Sequence, residues 1–249
     1  MRKTTRLAKN MASIGSFRNA AGRAKGTAFV IEAPRADGTA LVLTAHHVVA
    51  SGKRTQGLGK VQFTGANNKP IDAKVLSVVA ADSAADFALV RIAVPKTLRS
   101  LPAIALAKSS SAKGEVYSAG FAKIWGSVKT GKRLVSASDR KSAAGQDAIA
   151  GRSLPKVEQR GHVDASATRS STARDLVLRL PNVVGSSGSP IMRRSDNRVI
   201  GMTYAGPNNR DSNRVTFAVP TTTIRANLKA LRPTLTKADR KAVDRLLAK

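Results

Sequence analysis

The sequence has no cysteine, few aromatic residues, few acids and no long apolar run, and each shortage removes a class of chemistry. Without cysteine there are no disulfides, no thiolate nucleophiles and no cysteine-based zinc sites. That fits a reducing compartment, although cysteine-free chains are also exported. Six Phe, two Tyr and one Trp among 249 residues are too few for a base-stacking platform for single-stranded nucleic acid. They also leave the core to Val, Ile, Leu and Ala. No apolar stretch approaches the roughly 18 residues that a membrane-crossing helix needs. The opening "MRKTTRLAKNMASIGSFRNAAGRAKG" lacks the apolar centre of a secretory signal, so a cytoplasmic location is expected. Its Arg-rich, acid-free composition also matches an organelle transit peptide.

Acids number 15 against 43 Lys and Arg, for a formal net charge of +28. Residues 1–25 hold seven basic residues and no acid, and residues 233–249 hold five basic residues and two acids. Most of the surplus therefore belongs to residues 26–232. Such a field attracts polyanions, and with so few aromatics any nucleic-acid contact should be phosphate-driven and non-specific in sequence.

From Gly26 onward, strand-length runs rich in β-branched residues alternate with turn signals: "TAFVIEA", "ALVLTA", "KVQFT", "AKVLSVVA" and "FALVRIAV". A second set follows: "EVYSAGF", "RLVSAS", "LVLRLP", "PIMRR", "RVIGMTYAG" and "VTFAVP". Val94–Gly114, with two prolines and a serine cluster, reads as the connector. The fold class is all-β, with two successive units of about 26–98 and about 112–231. Residues 1–25 read as a basic disordered arm and 233–249 as a C-terminal helix. Thr236 would cap that helix, with Ala238, Ala242, Val243 and Leu246 on one face. The polar stretch 139–175 reads as long loops.

Three histidines, His46, His47 and His162, are the possible bases. "GSSGSP" (Gly185–Pro190) supplies a hydroxyl: a glycine two before a serine lets main-chain N–H groups converge, and a glycine after it permits a sharp turn. That template fits Ser187 and neither Ser186 nor Ser189, and makes Gly185 and Ser187 N–H the oxyanion hole. Asp86, at the head of "DFALVRI", is placed to be buried against an imidazole. Asp82 has the more polar setting of an ordinary turn residue. "GSVKTGKR" (Gly126–Arg133) misses the phosphate-binding loop because Arg133 stands where a hydroxyl must ligate Mg²⁺, so it reads as a basic hairpin or loop. No metal or other cofactor is implied.

"TAHHVV", "DFALVRI", "GSSGSP", "VIGMTYAG" and "VTFAVP", in that order, resemble the trypsin/chymotrypsin-like serine proteases. The similarity is to the disulfide-free branch that includes the high-temperature-requirement proteases and many viral serine proteases. It runs in patches from Gly26 to Leu231. The resemblance implies two six-stranded β-barrels with the site in the cleft between them, His47 as the catalytic base with His46 in a variable position, Asp86 as its orienting acid and Ser187 as nucleophile. His162 falls in the polar loop stretch. Many relatives have glycine where this chain has Ser189; if that position required positive φ, serine would cost about 1 kcal/mol. The likeness to the high-temperature-requirement enzymes is expected to cover their protease domain only, without a peptide-binding C-terminal domain.

The implied substrate pocket is walled by Thr203, Tyr204, Ala205 and Gly206 and by Val215–Phe217, with its floor near Leu180 and Pro181. It contains no acid or histidine, so a small or apolar side chain is expected at the cleaved position. The implied function is a serine endopeptidase acting on a protein or polyprotein, through a Ser187–His47–Asp86 triad and an acyl-enzyme. By analogy, a small, cysteine-free, basic protease suits a virus or phage, acting in an infected cell. The alternative is the same fold without catalysis, a basic module binding RNA or an anionic surface.

Overall fold

The structure, a computed structural model, describes residues 10–50, 58–65, 69–110, 116–121, 128–130, 133–135, 176–178, 185–205 and 216–248. Six strands close the first barrel: β1 (Ile14–Arg18), β2 (Ala24–Glu32), β3 (Thr39–Thr44), β4 (Lys60–Thr64), β5 (Pro70–Asp82) and β6 (Phe87–Ala93), in the order β1-β2-β3-β6-β5-β4. Apolar side chains from these strands fill it, among them Phe29, Leu41, Leu43, Phe63, Phe87 and Leu89.

The expectation of a disordered arm over residues 1–25 fails in its described part, residues 10–25; residues 1–9 lie outside the described residues. Ile14–Arg18 is a barrel strand, paired with β2 on one side and β4 on the other. Its physical reason is closure, since without β1 the edges of β2 and β4 would both lie open. The basic residues around "SIGSF" masked a strand with buried Ile14 and Phe17.

The second unit contains a five-stranded sheet ordered β10-β13-β12-β11-β7, from β7 (Val116–Ser118), β10 (Leu176–Leu178), β11 (Pro190–Arg193), β12 (Val199–Ala205) and β13 (Thr216–Pro220). A separate hairpin, β8 (Val128–Thr130) with β9 (Arg133–Val135), joins the end of "GSVKTGKR" to the start of "RLVSAS". The loop region 139–175 and His162 lie outside the described residues. The connector joins both units: Ile104 N–H donates to Val30 O (2.8 Å), and Ala107 N–H to Val199 O (2.7 Å).

Thr221–Leu231 is a helix, not the last part of the second barrel. It and the final helix, Lys237–Ala248, are α2 and α3 after the single turn α1 (His46–Val49). Ile224 and Leu228 of α2 are buried. Thr236 caps α3 by accepting the Asp239 N–H at 3.2 Å. The buried face of α3 is Asp239, Ala242, Val243 and Leu246, whereas Ala238 is exposed. Asp239 faces inward because Arg91 of β6 forms an ion pair with it. No helix among the described residues is long and apolar enough to cross a membrane.

The β11–β12 turn is fixed by Arg193, whose guanidinium bonds Asp196 at 2.7 and 3.2 Å, and by the Arg198 N–H at 3.1 Å. These bonds, Arg193 foremost, hold the Asp196 carboxyl below the ordinary 3.8. A depressed carboxyl stabilises the fold above its unfolded value and loses that contribution as pH falls through its folded value. Asp196→Asn should therefore melt below wild type at neutral pH, and the gap should close beneath pH 3.8. Parallel melting curves down to pH 2 or so would show that the pair contributes nothing. For β1, Phe17→Ala should cost about 3–5 kcal/mol in denaturant unfolding; a cost under about 1 kcal/mol, normal for exposed sites, would remove β1 from the barrel.

Candidate active site

The end of β3 leads directly into the first half of the site. Ala45 is extended (φ −72°, ψ 145°), then His46–Val49 form one turn whose Val48 points into the core. That inward side chain places His47 at the surface, its side chain 49% exposed. Asp86 grips it twice: Oδ1 accepts the His47 N–H at 2.9 Å, and Oδ2 lies 2.7 Å from Nδ1. A carboxylate only accepts, so Nδ1 carries a proton, and in the neutral imidazole Nε2 then keeps its lone pair. The acid is bonded to His47 and not to His46.

Asp86 adopts φ +49°, a left-handed conformation that aspartate tolerates better than most residues. Asp82 builds the turn that imposes it. Its Oδ1 accepts the N–H groups of Ala84 and Ala85 (2.8 and 2.9 Å), and its Oδ2 accepts Asn227 Nδ2 of α2 at 2.8 Å. Asp82 is thus a turn residue, as its setting suggested, and it also supports the acid that faces His47. Asn227 carried no signal in the sequence, because its partner is remote and α2 was not foreseen.

The second half of the site is the turn before β11. Gly185 (φ +100°) and Gly188 (φ +86°) both lie in the left-handed region, which explains the two glycines of "GSSGSP". Ser189 does not, so serine there carries no strain of this kind. A Cβ on Gly188 would overlap the Thr27 carbonyl oxygen, so that position also demands close approach. Gly188 N–H donates to Thr203 O (2.7 Å) and Ser189 N–H to Ser186 O (2.8 Å). Among the described residues, the N–H groups of Gly185 and Ser187 donate to no main-chain carbonyl.

Ser187 and His47 are not hydrogen-bonded to each other. Ser187 Oγ donates instead to Tyr204 O, a long contact of 3.4 Å. Tyr204 occupies an irregularity in the β12–β13 register, between Thr203 paired with Ala218 and Ala205 paired with Phe217. The two halves nevertheless dock. An ideal Cβ on Gly26 would stand 2.6 Å from Val48 Cγ2 and 2.7 Å from Ser187 O, so one residue of β2 separates the His47 turn from the Ser187 main chain.

Of the expected pocket, Thr203 is enclosed, with its N–H donating to Ser189 O at 2.9 Å. Tyr204 and Ala205 are half-buried. Thr216 and Phe217 are buried in β13. Leu180, Pro181, Gly206 and Val215 lie outside the described residues. Sequence reasoning passed over Thr27, a buried residue bonded to both halves of the site; its one signal was a hydroxyl at the start of the apolar run "TAFVI".

The model of the trypsin-like peptidase domain matches residues 26–202, more than two-thirds of the chain. No curated protein sequence matches it. Among solved structures, the chain is similar to Rv3671c of M. tuberculosis H37Rv, a serine-to-alanine mutant in an inactive form. The two are 19% identical over 92% of this chain and 90% of that one, with a TM-score of 0.51. The HtrA-type protease AlgW, with a decapeptide, is 14% identical over 90% of this chain and 66% of its own, with a TM-score of 0.51. At these identities the likeness establishes the fold. The matched domain establishes the family: the chain belongs to the trypsin-like peptidases and is a serine peptidase similar to the HtrA-type enzymes.

Proposed function

We propose that the chain is an endopeptidase in which Ser187 is the nucleophile, His47 the general base and Asp86 its orienting acid. The observation that supports this most is the double bond pattern from Asp86 to the main chain and ring of His47. It fixes both the position and the tautomer of the imidazole, leaving Nε2 as the basic atom. Ser187 Oγ must first leave the Tyr204 carbonyl. At 3.4 Å that bond is weak, and catalytic hydrogen bonds often tighten only with substrate present.

In the proposed cycle, Ser187 Oγ attacks the scissile carbonyl carbon while His47 Nε2 takes its proton. Gly185 and Ser187 N–H groups receive the oxyanion. His47 then gives the proton to the departing amine, leaving a Ser187 ester and a free new N-terminus. Water attacks the ester with His47 again as base, releasing the acid product and restoring the serine. Tyr204 and Ala205 are proposed to line the pocket for the residue before the cut, favouring small or apolar side chains.

A second reading concerns the basic surface. Every acidic side chain among the described residues accepts a hydrogen bond from this chain, such as Asp72 from Lys60 and Gln62, or Asp244 from Arg232. Meanwhile Arg23, Lys25, Lys74, Lys108, Lys229 and Lys241 are exposed. With the acids engaged internally, the surplus positive charge faces solvent. We propose that it binds nucleic acid through phosphates, beside the peptidase activity.

Ser187→Ala should lower kcat by about 10⁶-fold against a sensitive peptide library, and fluorophosphonate labelling should map to Ser187 in wild type alone. Retention of more than a few per cent of activity in Ser187→Ala, which other triad knockouts do not show, would exclude this serine as nucleophile. For the second reading, affinity for short RNA and DNA duplexes should fall at least about tenfold between roughly 50 and 200 mM salt. It should be the same for unrelated base sequences and survive Ser187→Ala. Binding that ignores salt would reject a phosphate-driven contact.

A further inference from the structure

Thr27, the fourth residue of β2, is fully enclosed. Among the described residues it makes four hydrogen bonds, and each leads to a segment that carries or flanks the proposed site. Its N–H donates to Ser187 O at 2.7 Å. Its Oγ1 donates to Gly185 O at 3.1 Å and accepts the Phe121 N–H at 2.9 Å. Its carbonyl accepts Thr44 Oγ1 at 2.7 Å, at the end of the strand leading to His47. A hydroxyl can donate once and accept at the same time, and here it does both.

Those bonds have a geometric consequence. Gly185 O and Ser187 O belong to the peptide planes immediately before and after the plane that carries the Ser187 N–H. With both outer planes anchored to Thr27, the middle one has little freedom to rotate. The Thr44 bond and the contact of Gly26 with Val48 tie the same stretch of β2 to the segment bearing His47. The Phe121 bond ties it to the loop after β7. Close packing enforces the arrangement: a Cβ on Gly188 would strike the Thr27 carbonyl and Thr44 Oγ1, and one on Gly120 would stand 2.9 Å from Thr27 Oγ1.

We propose that Thr27 is a positioning residue, whose hydroxyl and main chain fix the Ser187 loop relative to His47 across the junction of the two β units. It touches no substrate and acts through the orientation of the Gly185 and Ser187 peptides. The proposal rests on the reading of Ser187 as nucleophile and assigns a reason for the hydroxyl at the start of this apolar run. Valine fits the same space but can hold neither the Gly185 carbonyl nor the Phe121 N–H.

The test compares Thr27→Val with Thr27→Ser, which keeps the hydroxyl. Thr27→Val should lower kcat and the rate of fluorophosphonate labelling by about 10²-fold with KM little changed, the size expected for a misplaced reacting group. Amide hydrogen exchange across residues 185–189 should quicken in the valine variant while β3 stays protected. Thr27→Ser should restore both kcat and exchange to within a few-fold of wild type. If the valine variant loses protection in β3 as well, Thr27→Ala, which adds no bulk, replaces it in the same measurements. Unchanged kcat, or unchanged exchange at 185–189, would overturn the positioning role while leaving the peptidase reading intact. A wild type that neither labels nor cleaves would overturn that reading, and the role of Thr27 with it.

Discussion

The main-chain bond from Thr27 N–H to Ser187 O, 2.7 Å long, joins a strand of the closed barrel to the glycine turn of the second unit. Few other contacts place the two halves of the site against each other so directly. His47 and Asp86 both belong to the first barrel, and their pairing is complete within it. Ser187 belongs to the second unit, so its distance from the imidazole depends on how the units dock. The proposed peptidase site, built across such a junction, is sensitive to rotations of single peptide planes. At Gly26 and Gly188 a neighbouring main-chain oxygen, and at Gly120 the Ser189 and Thr27 side chains, come too close for any side chain.

The acid half of the site is supported from further away. Asp86 holds a left-handed conformation because Asp82 gathers the two amides before it, and Asp82 is in turn held by Asn227 of α2. The two C-terminal helices therefore do more than cover the barrel. Arg91 pairs with Asp239, and Arg245 reaches Glu32 at 2.5 Å, so α3 is fastened to β6 and β2. The Arg245–Glu32 pair, with Arg245 exposed, contributes little singly, but Arg91 and Asp239 are both largely enclosed and unpairing either would leave a charge in a poor solvent.

A chain without disulfides must close its barrel by strand pairing alone. The closing strand β1 comes from a segment so basic that its apolar residues are easily overlooked. The scarce acids follow a similar economy: those described are engaged in turns, caps and ion pairs inside the molecule, and the cations they do not match remain at the surface. Stability and surface field thus arise from the same imbalance in composition.

Much of this was legible in the sequence. The β-branched runs gave eleven of the strands their places, Thr236 marked the start of the final helix, and "GSSGSP" announced a turn that needs glycine on both sides of Ser187. These are local properties, set by side-chain shape and backbone sterics within a few residues. The strand Ile14–Arg18, the helix Thr221–Leu231 and the inward turn of Asp239 were not legible, because each is stabilised by a partner far along the chain. By itself the sequence determined the residue types a hydrolytic site requires and the order in which they occur. The family resemblance pointed to His47 rather than His46 as the partner of Asp86, and the tertiary structure supplied the bonds that join them; only that structure decided that Ser187 Oγ rests on Tyr204 O and that Thr27 stands between the two halves. Those outcomes depend on distances between segments up to 160 residues apart, such as Thr27 and Ser187, which local propensity does not encode.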